Sequence, residues 1–346
     1  MAELIWQQKH NPYAQGVPSR LRVETCERFP GEGEPAEGGS EGSLVSGGVD
    51  LWENRLIYGD KGQVLAALLA EFAGAVDLIY IDPPFMTERT YRGRRGLAYD
   101  DRWQHNLDAY LQWLYETFLL LYRLLAPHGS LYVHLDWRTV HFARLLLDEV
   151  FRAAAADGGG FQNEIIWHYH SGGRPRRSRG FARKHDTLLL YTRSRQYCFH
   201  GERVGPLRGS ERRNHMRRQV EADGRVCWTI RSGGRLYRYY ADEPMTPADV
   251  WCDISHLHQR DPERNGYATQ KPAALLERIV LASSEVNDLV LDCFCGSGVT
   301  PAVAERLGRR WIACDGSPLA IEVTRERLLQ IRPRRAFCLQ RVVALE

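Results

Sequence analysis

The stretch that most limits what this chain can fold into is Val76-Asp77-Leu78-Ile79-Tyr80-Ile81-Asp82-Pro83-Pro84-Phe85. Its apolar residues follow one another without polar alternation, the pattern of a strand buried on both faces of a parallel sheet. Pro83 and Pro84 bring no N–H to a ladder, so the strand has to end there. Asp82 and Phe85 then stand at the carboxyl end of a central strand, where open α/β sheets take their ligands. An acid before proline also ends ordinary strands in a turn. The run by itself leaves both readings open.

Of the 346 residues, 44% are hydrophobic and 26% charged, enough for a large core and one catalytic domain with an inserted or appended module. No run approaches the roughly 18 apolar residues of a membrane helix. Met1 to Lys9 lacks the basic start and apolar core of a signal peptide, so a cytoplasmic protein is expected. The 8 cysteines are scattered, and Cys293-Phe294-Cys295 has one residue where a zinc knuckle has two. No metal is expected.

Along the chain, residues 1–50 read as poorly organised: a short docking arm from Leu4 to Tyr13, then an acidic Gly/Ser-rich linker from Pro30 to Gly48. Ordered structure is expected from the strand Arg55 to Asp60, the helix Val64 to Phe72 and the strand ending at Asp82, a parallel crossover unit. Thr87 to Asp101 reads as a mobile basic loop. A helix over Leu107–Leu125, a strand over Ser130–Leu135 and a helix over Arg138–Phe151 follow. Two further strands, Phe161–His170 and Asp186–Thr192, close one sheet edge. Trp167 to Arg260 then holds 19 Arg and Lys against 9 Asp and Glu, although the whole chain is only +3. That segregation, with Tyr and Trp interspersed, favours a nucleic-acid footprint over a merely solvated face.

The unit Leu289 to Leu307 is a strand, a Gly-rich turn (Cys293 to Thr300) and a helix, the entrance for a nucleotide-type cofactor. Asp315 follows about 20 residues on, at the end of the next strand, where a carboxylate accepts ribose hydroxyls. An NAD enzyme would share this spacing. Asp292, however, precedes the glycines and would repel a pyrophosphate, whereas it can receive the ammonium of S-adenosylmethionine. After the Asp315 strand little chain remains, so the Arg55–Asp60 strand is free to fill the next place in the sheet. The fold is then circularly permuted, with Asp60 near the cofactor adenine and Asp82 across the cleft.

In this order the motifs resemble the β-group of amino-methylating DNA methyltransferases, in which an Asp-Pro-Pro-aromatic motif precedes a Phe-x-Gly-x-Gly motif. The resemblance runs from about Trp52 to Arg327 and includes ENRLIYGD, VDLIYIDPPF, GSLYVHLD, NEIIWHY, KHDTLLLYT and TQKPAALLERIVLASSEVNDLVLDCFCGSG. It implies a doubly wound, circularly permuted class I S-adenosylmethionine-dependent (Rossmann-like) α/β fold with an inserted target-recognition region. On that basis residues 51–194 form the catalytic half, 195–260 the recognition region and 261–346 the cofactor half. Asp82, Pro83, Pro84 and Phe85 match the catalytic motif. Asp292, Phe294, Gly296 and Gly298 match the cofactor loop, Asp315 the ribose acid, and Gln270 and Lys271 a segment at the methionine end. Val299, Ala268 and Lys61 depart from the commoner Thr, Pro and Asn.

The resemblance implies methyl transfer to the N6 amine of adenine in double-stranded DNA by base flipping and direct in-line transfer. Arg174, Arg176, Arg177, Arg179, Arg183, Arg212, Arg213, Arg217 and Arg218 are expected on DNA phosphates. A separate restriction endonuclease and a homodimer are compatible partners. Cytosine N4 methylation is the nearest alternative; RNA methylation, an NAD-dependent oxidoreductase and an inactive DNA-binding relative are further ones. Asp as first motif residue favours adenine.

Overall fold

The computed structural model describes residues 3–17, 21–32, 52–170, 179–209 and 215–344. In chain order the elements are β1 (Leu21–Phe29), β2 (Asn54–Tyr58), α1 (Lys61–Phe72), β3 (Val76–Ile81), β4 (Arg89–Gly93), β5 (Gly96–Asp101), α2 (Leu107–Leu124), β6 (Leu125–Leu135), α3 (Val140–Val150) and α4 (Arg152–Ala156). Then come β7 (Gly160–His168), β8 (His185–Thr192), α5 (Gly201–Val204), β9 (Arg217–Val220), β10 (Val226–Ser232), β11 (Arg235–Tyr240) and β12 (Val250–Trp251). The chain finishes with α6 (Ala273–Ser283), β13 (Leu289–Asp292), α7 (Val299–Arg306), β14 (Arg310–Asp315), α8 (Pro318–Leu329) and β15 (Phe337–Ala344).

Ten strands form one sheet in the order β1-β15-β2-β14-β13-β3-β6-β8-β7-β12. The run from β15 to β6 is parallel, while β1, β8 and β7 add antiparallel pairings. β2 lies beside β14, with Leu56 opposite Ala313 and Tyr58 opposite Asp315, so the permuted order expected from the sequence is present. The order in which strands are added reverses between β13 and β3, which are neighbours. This is the topological switch point, and Asp292 and Asp82 end the two strands that flank it.

The apolar run Leu78–Ile81 of β3 has its reason in two cores. Ile79 and Ile81 pack with α1, α2 and α3 on one face, and Leu78 and Tyr80 with α6 and α7 on the other. Its other acid, Asp77, closes the opposite end of the strand: one oxygen accepts from the Leu289 N–H at 2.7 Å and the other contacts His128 at 2.7 Å. A buried polar knot fixes β2 against β14. Asn54 Nδ2 donates to Glu305 Oε2 (2.8 Å), Trp311 Nε1 donates to the same oxygen (2.7 Å), and Asn54 Oδ1 accepts from the Trp311 N–H (2.8 Å). Such a closed network offsets its own burial cost.

Three expectations are corrected. Residues 1–50 are not uniformly unorganised: β1 is an edge strand of the main sheet, with Phe29 stacked on Phe337 at 4.6 Å. The arm before it docks through buried Trp6, edge-on to Tyr115, and through a Lys9–Glu149 ion pair at 2.7 Å. The expected linker falls mostly outside the described residues. Thr87 to Asp101 is not a loop but the hairpin β4–β5, locked by buried Asp101. Its carboxylate accepts from the Met86 and Thr87 N–H groups, the Thr87 hydroxyl and Trp103 Nε1. Third, 195–260 is not wholly separate. β9, β10 and β11 form their own sheet, but β12 returns to pair with β7 in the main one.

Candidate functional site

Strands β2, β14, β13 and β3 each deliver an acid to the same edge of the sheet: Asp60, Asp315, Asp292 and Asp82 respectively. All four line one cavity of about 480 Å³, within the range of about 300–1,000 Å³ found for small-molecule sites. The hairpin roofs it with Leu97, Ala98, Tyr99 and Asp100. Arg95 ties that roof to α8 through Glu322 (2.8 Å) and Glu326.

Asp292 is buried, and burial pushes its pKa up to about 7, against hydrogen bonds from the Thr300 hydroxyl and the Phe294 N–H that favour the carboxylate. Burial also raises Asp315 to about 6, opposed by the Gly296, Ser317 and Gly316 backbone N–H groups. Its two oxygens accept from Gly296 N (2.9 Å) and Ser317 N (2.8 Å), so the second acid also shapes the glycine turn. Gly296 adopts φ +49° and Gly298 φ +73°, and a Cβ on Gly298 would lie 2.6 Å from Thr324 Oγ1. Gly298 therefore lets α7 approach α8 and lies behind the cavity wall. Gly296, Phe294, Val299 and Thr300 line the cavity itself. Val299 is packed in the core, and the neighbouring Thr300 supplies the hydroxyl contact to Asp292.

Asp60 caps α1, accepting from the Gly62 (2.9 Å) and Gln63 (3.2 Å) N–H groups. The next residue, Lys61, is buried on the cavity wall, with its ammonium 4.6 Å from the Trp113 ring centroid. Burial lowers its pKa.

Asp82 has two unlike oxygens. Oδ2 accepts from Lys271 Nζ at 2.5 Å, whereas Oδ1 is buried with no hydrogen-bond partner. Lys271 Nζ also stands 5.3 Å from the Phe85 ring centroid. Phe85 packs against fully buried His134, whose ring nitrogens meet the Tyr80 hydroxyl (2.9 Å) and Asp186 (3.2 Å). The Tyr110 hydroxyl donates to the Pro84 carbonyl at 2.9 Å. Pro83 is buried, and it and Phe85 lie outside the cavity lining.

Gln270 departs from the cofactor contact expected of it. Its Oε1 accepts from Asn265 N (3.0 Å) and its Nε2 donates to the Glu263 carbonyl (2.9 Å), so both amide ends are spent inside their own loop. Asn265 then reaches the glycine turn through the Ser297 carbonyl (3.0 Å). Sequence reasoning missed Tyr99, Trp113, Tyr267, Thr300 and Ser317 on the cavity wall. Of these, Tyr267, Thr300 and Ser317 border quoted motifs and were open to detection by adjacency; Tyr99 and Trp113 carry no local signal.

Of the expected phosphate contacts, Arg217 and Arg218 are exposed on β9, and Arg183 stacks over Trp137 at 3.6 Å. Arg179 is described in the structure and forms an interaction of its own. Arg174, Arg176, Arg177, Arg212 and Arg213 lie outside the described residues. Outside the cavity lining, Cys198, His200 and Glu285 form a group with metal-ligand chemistry, although Arg203 already holds Glu285 at 2.8 Å. Among the described residues no helix is long and apolar enough to cross a membrane.

The chain is similar to known proteins in sequence and in fold. Type II methyltransferase M.HpaI of Haemophilus parainfluenzae is 30% identical over 256 residues, 73% of this chain and 68% of the relative. The DNA adenine methyltransferase YhdJ of Escherichia coli is 28% identical over 266 residues, 75% of this chain and 77% of the relative. Among solved structures, TTHA0409 of Thermus thermophilus complexed with S-adenosyl-L-methionine matches with TM-score 0.51 and 20% identity, over 83% of this chain and 97% of that one. The cytosine-N4-specific PvuII DNA methyltransferase matches with TM-score 0.53 and 19% identity, over 81% and 88%. These two share the fold. The family model for the N6/N4 DNA methylases matches residues 76–326, most of the chain, and the chain belongs to that family.

Proposed function

We propose that this DNA amino-methyltransferase acts on the N6 amine of adenine in double-stranded DNA, with S-adenosylmethionine as methyl donor. The observation that carries the reading is Asp82 Oδ1, a buried acceptor without a donor, beside a cavity lined by three further acids. A buried carboxylate oxygen in that state costs free energy until a donor arrives. The acids suit a cofactor bearing a sulfonium and an ammonium: Asp292 at the ammonium, Asp315 at the ribose and Asp60 toward the adenine. When bound, the cofactor supplies an electrophilic methyl group.

What the chain's own residues do follows from the chemistry of an exocyclic amine, whose lone pair is delocalised into the ring. Two acceptors on its two hydrogens draw the nitrogen toward tetrahedral geometry and localise the pair. Asp82 Oδ1 is one acceptor. The Pro84 carbonyl is already engaged by Tyr110, so the Pro83 carbonyl is the better second one. The Phe85 ring, braced by His134, stacks on the target base, an interaction worth about 1–3 kcal/mol. A stacked duplex base cannot reach this depth, which requires flipping. Orientation and fixed charge then account for the enzyme's contribution.

Adenine is favoured over cytosine by Asp as the first motif residue and by the relation to a protein named DNA adenine methyltransferase. The test is methyl-labelled cofactor with mixed-sequence DNA, digested to nucleosides. Label in N6-methyladenine is expected. Label in N4-methylcytosine overturns the base assignment, and no label in DNA overturns the substrate.

A further inference from the structure

We infer that Lys271 is the positioning residue of the catalytic carboxylate: its ammonium holds Asp82 Oδ2 so that Oδ1 alone is presented to the target amine. The inference rests on the role proposed above for Asp82. It replaces the sequence-based placement of Lys271 on the methionine end of the cofactor.

The geometry carries it in three steps. The Lys271 Nζ to Oδ2 distance is 2.5 Å, and both side chains are largely buried, 14% and 19% exposed. Such a pair is a charge-assisted bond in a place where water competes poorly. Occupying Oδ2 leaves Oδ1 as the only oxygen of that carboxylate without a partner. The lysine is thus the reason that the acid has one free side rather than two.

The backbone that carries Lys271 is built to aim it. Gln270 is held from both sides by Glu263 and Asn265, and Pro272 fixes the following φ and leads into α6. Thr269 adopts φ +60°, a left-handed conformation unusual for a β-branched residue. Strain of that kind persists only where surrounding contacts over-determine it. Gln270, silent toward the cavity, so acquires a role as the clamp on the lysine's backbone.

The titratable groups around Asp82 are one acid and three phenols that stay neutral. The acid is Asp292 of β13; the phenols are Tyr80 of β3, Tyr99 of the hairpin and Tyr267 of the loop before α6. Beyond Lys271 lies Asp186 of β8, which also feels the lysine's charge. Breaking a buried ion pair by removing one partner leaves an uncompensated charge. Without Lys271 the Asp82 carboxylate is repelled by Asp292 and free to turn, and the acceptor is no longer aligned.

The experiment measures single-turnover methyl transfer at saturating cofactor, together with the cofactor Kd by calorimetry, for Lys271→Met, Lys271→Arg, Asp82→Asn, Asp82→Ala and the Lys271→Met/Asp82→Asn pair. Lys271→Met is expected to slow transfer by about 10²-fold while the Kd changes by less than about threefold. Lys271→Arg restores part of the rate, and in the Asp82→Asn background Lys271→Met adds little further loss. A Kd weakened by about 30-fold or more with the saturated rate unchanged would place Lys271 on the cofactor and overturn the inference. Additive losses in the double variant overturn it as well. Full rates in Asp82→Asn and also in Asp82→Ala would sink the reading of Asp82 itself, a failure distinct from that of the lysine. Should Lys271→Met not fold, Lys271→Arg decides by the same split between rate and Kd.

Discussion

The molecule uses charge in two opposite ways, one in the main sheet and one in the small β9–β11 sheet. At the ends of β13, β14 and β3 the carboxylates are buried or half-buried, and desolvation raises the pKa of Asp292 and Asp315. In the small sheet, Arg217 and Arg238 flank Thr229 across the ladder with their side chains in water. A desolvated charge is strong, short-ranged and sensitive to its partner. A hydrated one is individually weak and is screened by salt. The first kind suits the recognition of one small cationic ligand and one amine, the second the attraction of a polyanion.

That contrast can be broken by experiment, beginning with the largest effect. Asp82→Ala should lower methyl transfer by about 10³-fold or more while leaving cofactor and DNA affinity nearly intact; parallel loss of cofactor binding by calorimetry would mean a structural acid. Next in size is pH. Asp292 and Asp315 have folded pKa values of about 7 and 6, above the usual carboxylate value, so the folded apo-protein binds more protons than the unfolded chain between about pH 4 and 7. Their contribution to apo stability is therefore greatest at low pH and is lost as pH rises through that window. A cationic cofactor reverses this, because it needs the carboxylates ionised. Its stabilisation, read as the shift in Tm, should grow from pH 5.5 to 8; a shift independent of pH would remove these acids from the cofactor site. The smallest effect belongs to the arginines. Replacing Arg217 and Arg218 together with Ala should weaken DNA binding uniformly across sequences and lower the salt slope of log K by about 0.9 for each phosphate that is no longer neutralised. Unchanged slopes would put the phosphate grip on other residues.

The parallel strands were legible because burial on both faces leaves a mark in the residues themselves. Leu78 to Ile81 can only be so continuously apolar between two cores, and the expected bounds of β3 agree closely with those found. The end of β14 at Asp315 was legible for a similar reason. The hairpin β4–β5 was not. Arg89 to Asp101 is polar at most positions and reads as a loop, because the side chain that orders it, Asp101, acts through four hydrogen bonds to residues that give no periodic signal. β1 was missed because its residues are half exposed at a sheet edge, and its pairing strand lies some three hundred residues away.

At the site the division runs through single residues. The sequence by itself determined which strands end in acids, that prolines terminate β3, and that the chain order had to be permuted for the sheet to close. These follow from local chemistry: periodicity, missing donors and the glycine turn. Tertiary structure alone decided which oxygen of Asp82 is free, that Lys271 faces this acid, and that Gln270 serves the loop rather than the cavity. Lys271 and Asp82 are 189 residues apart in the chain. Their contact depends on the packing of α6 and of the hairpin over the switch point, and no local pattern encodes a distance between strands that meet only in the folded sheet.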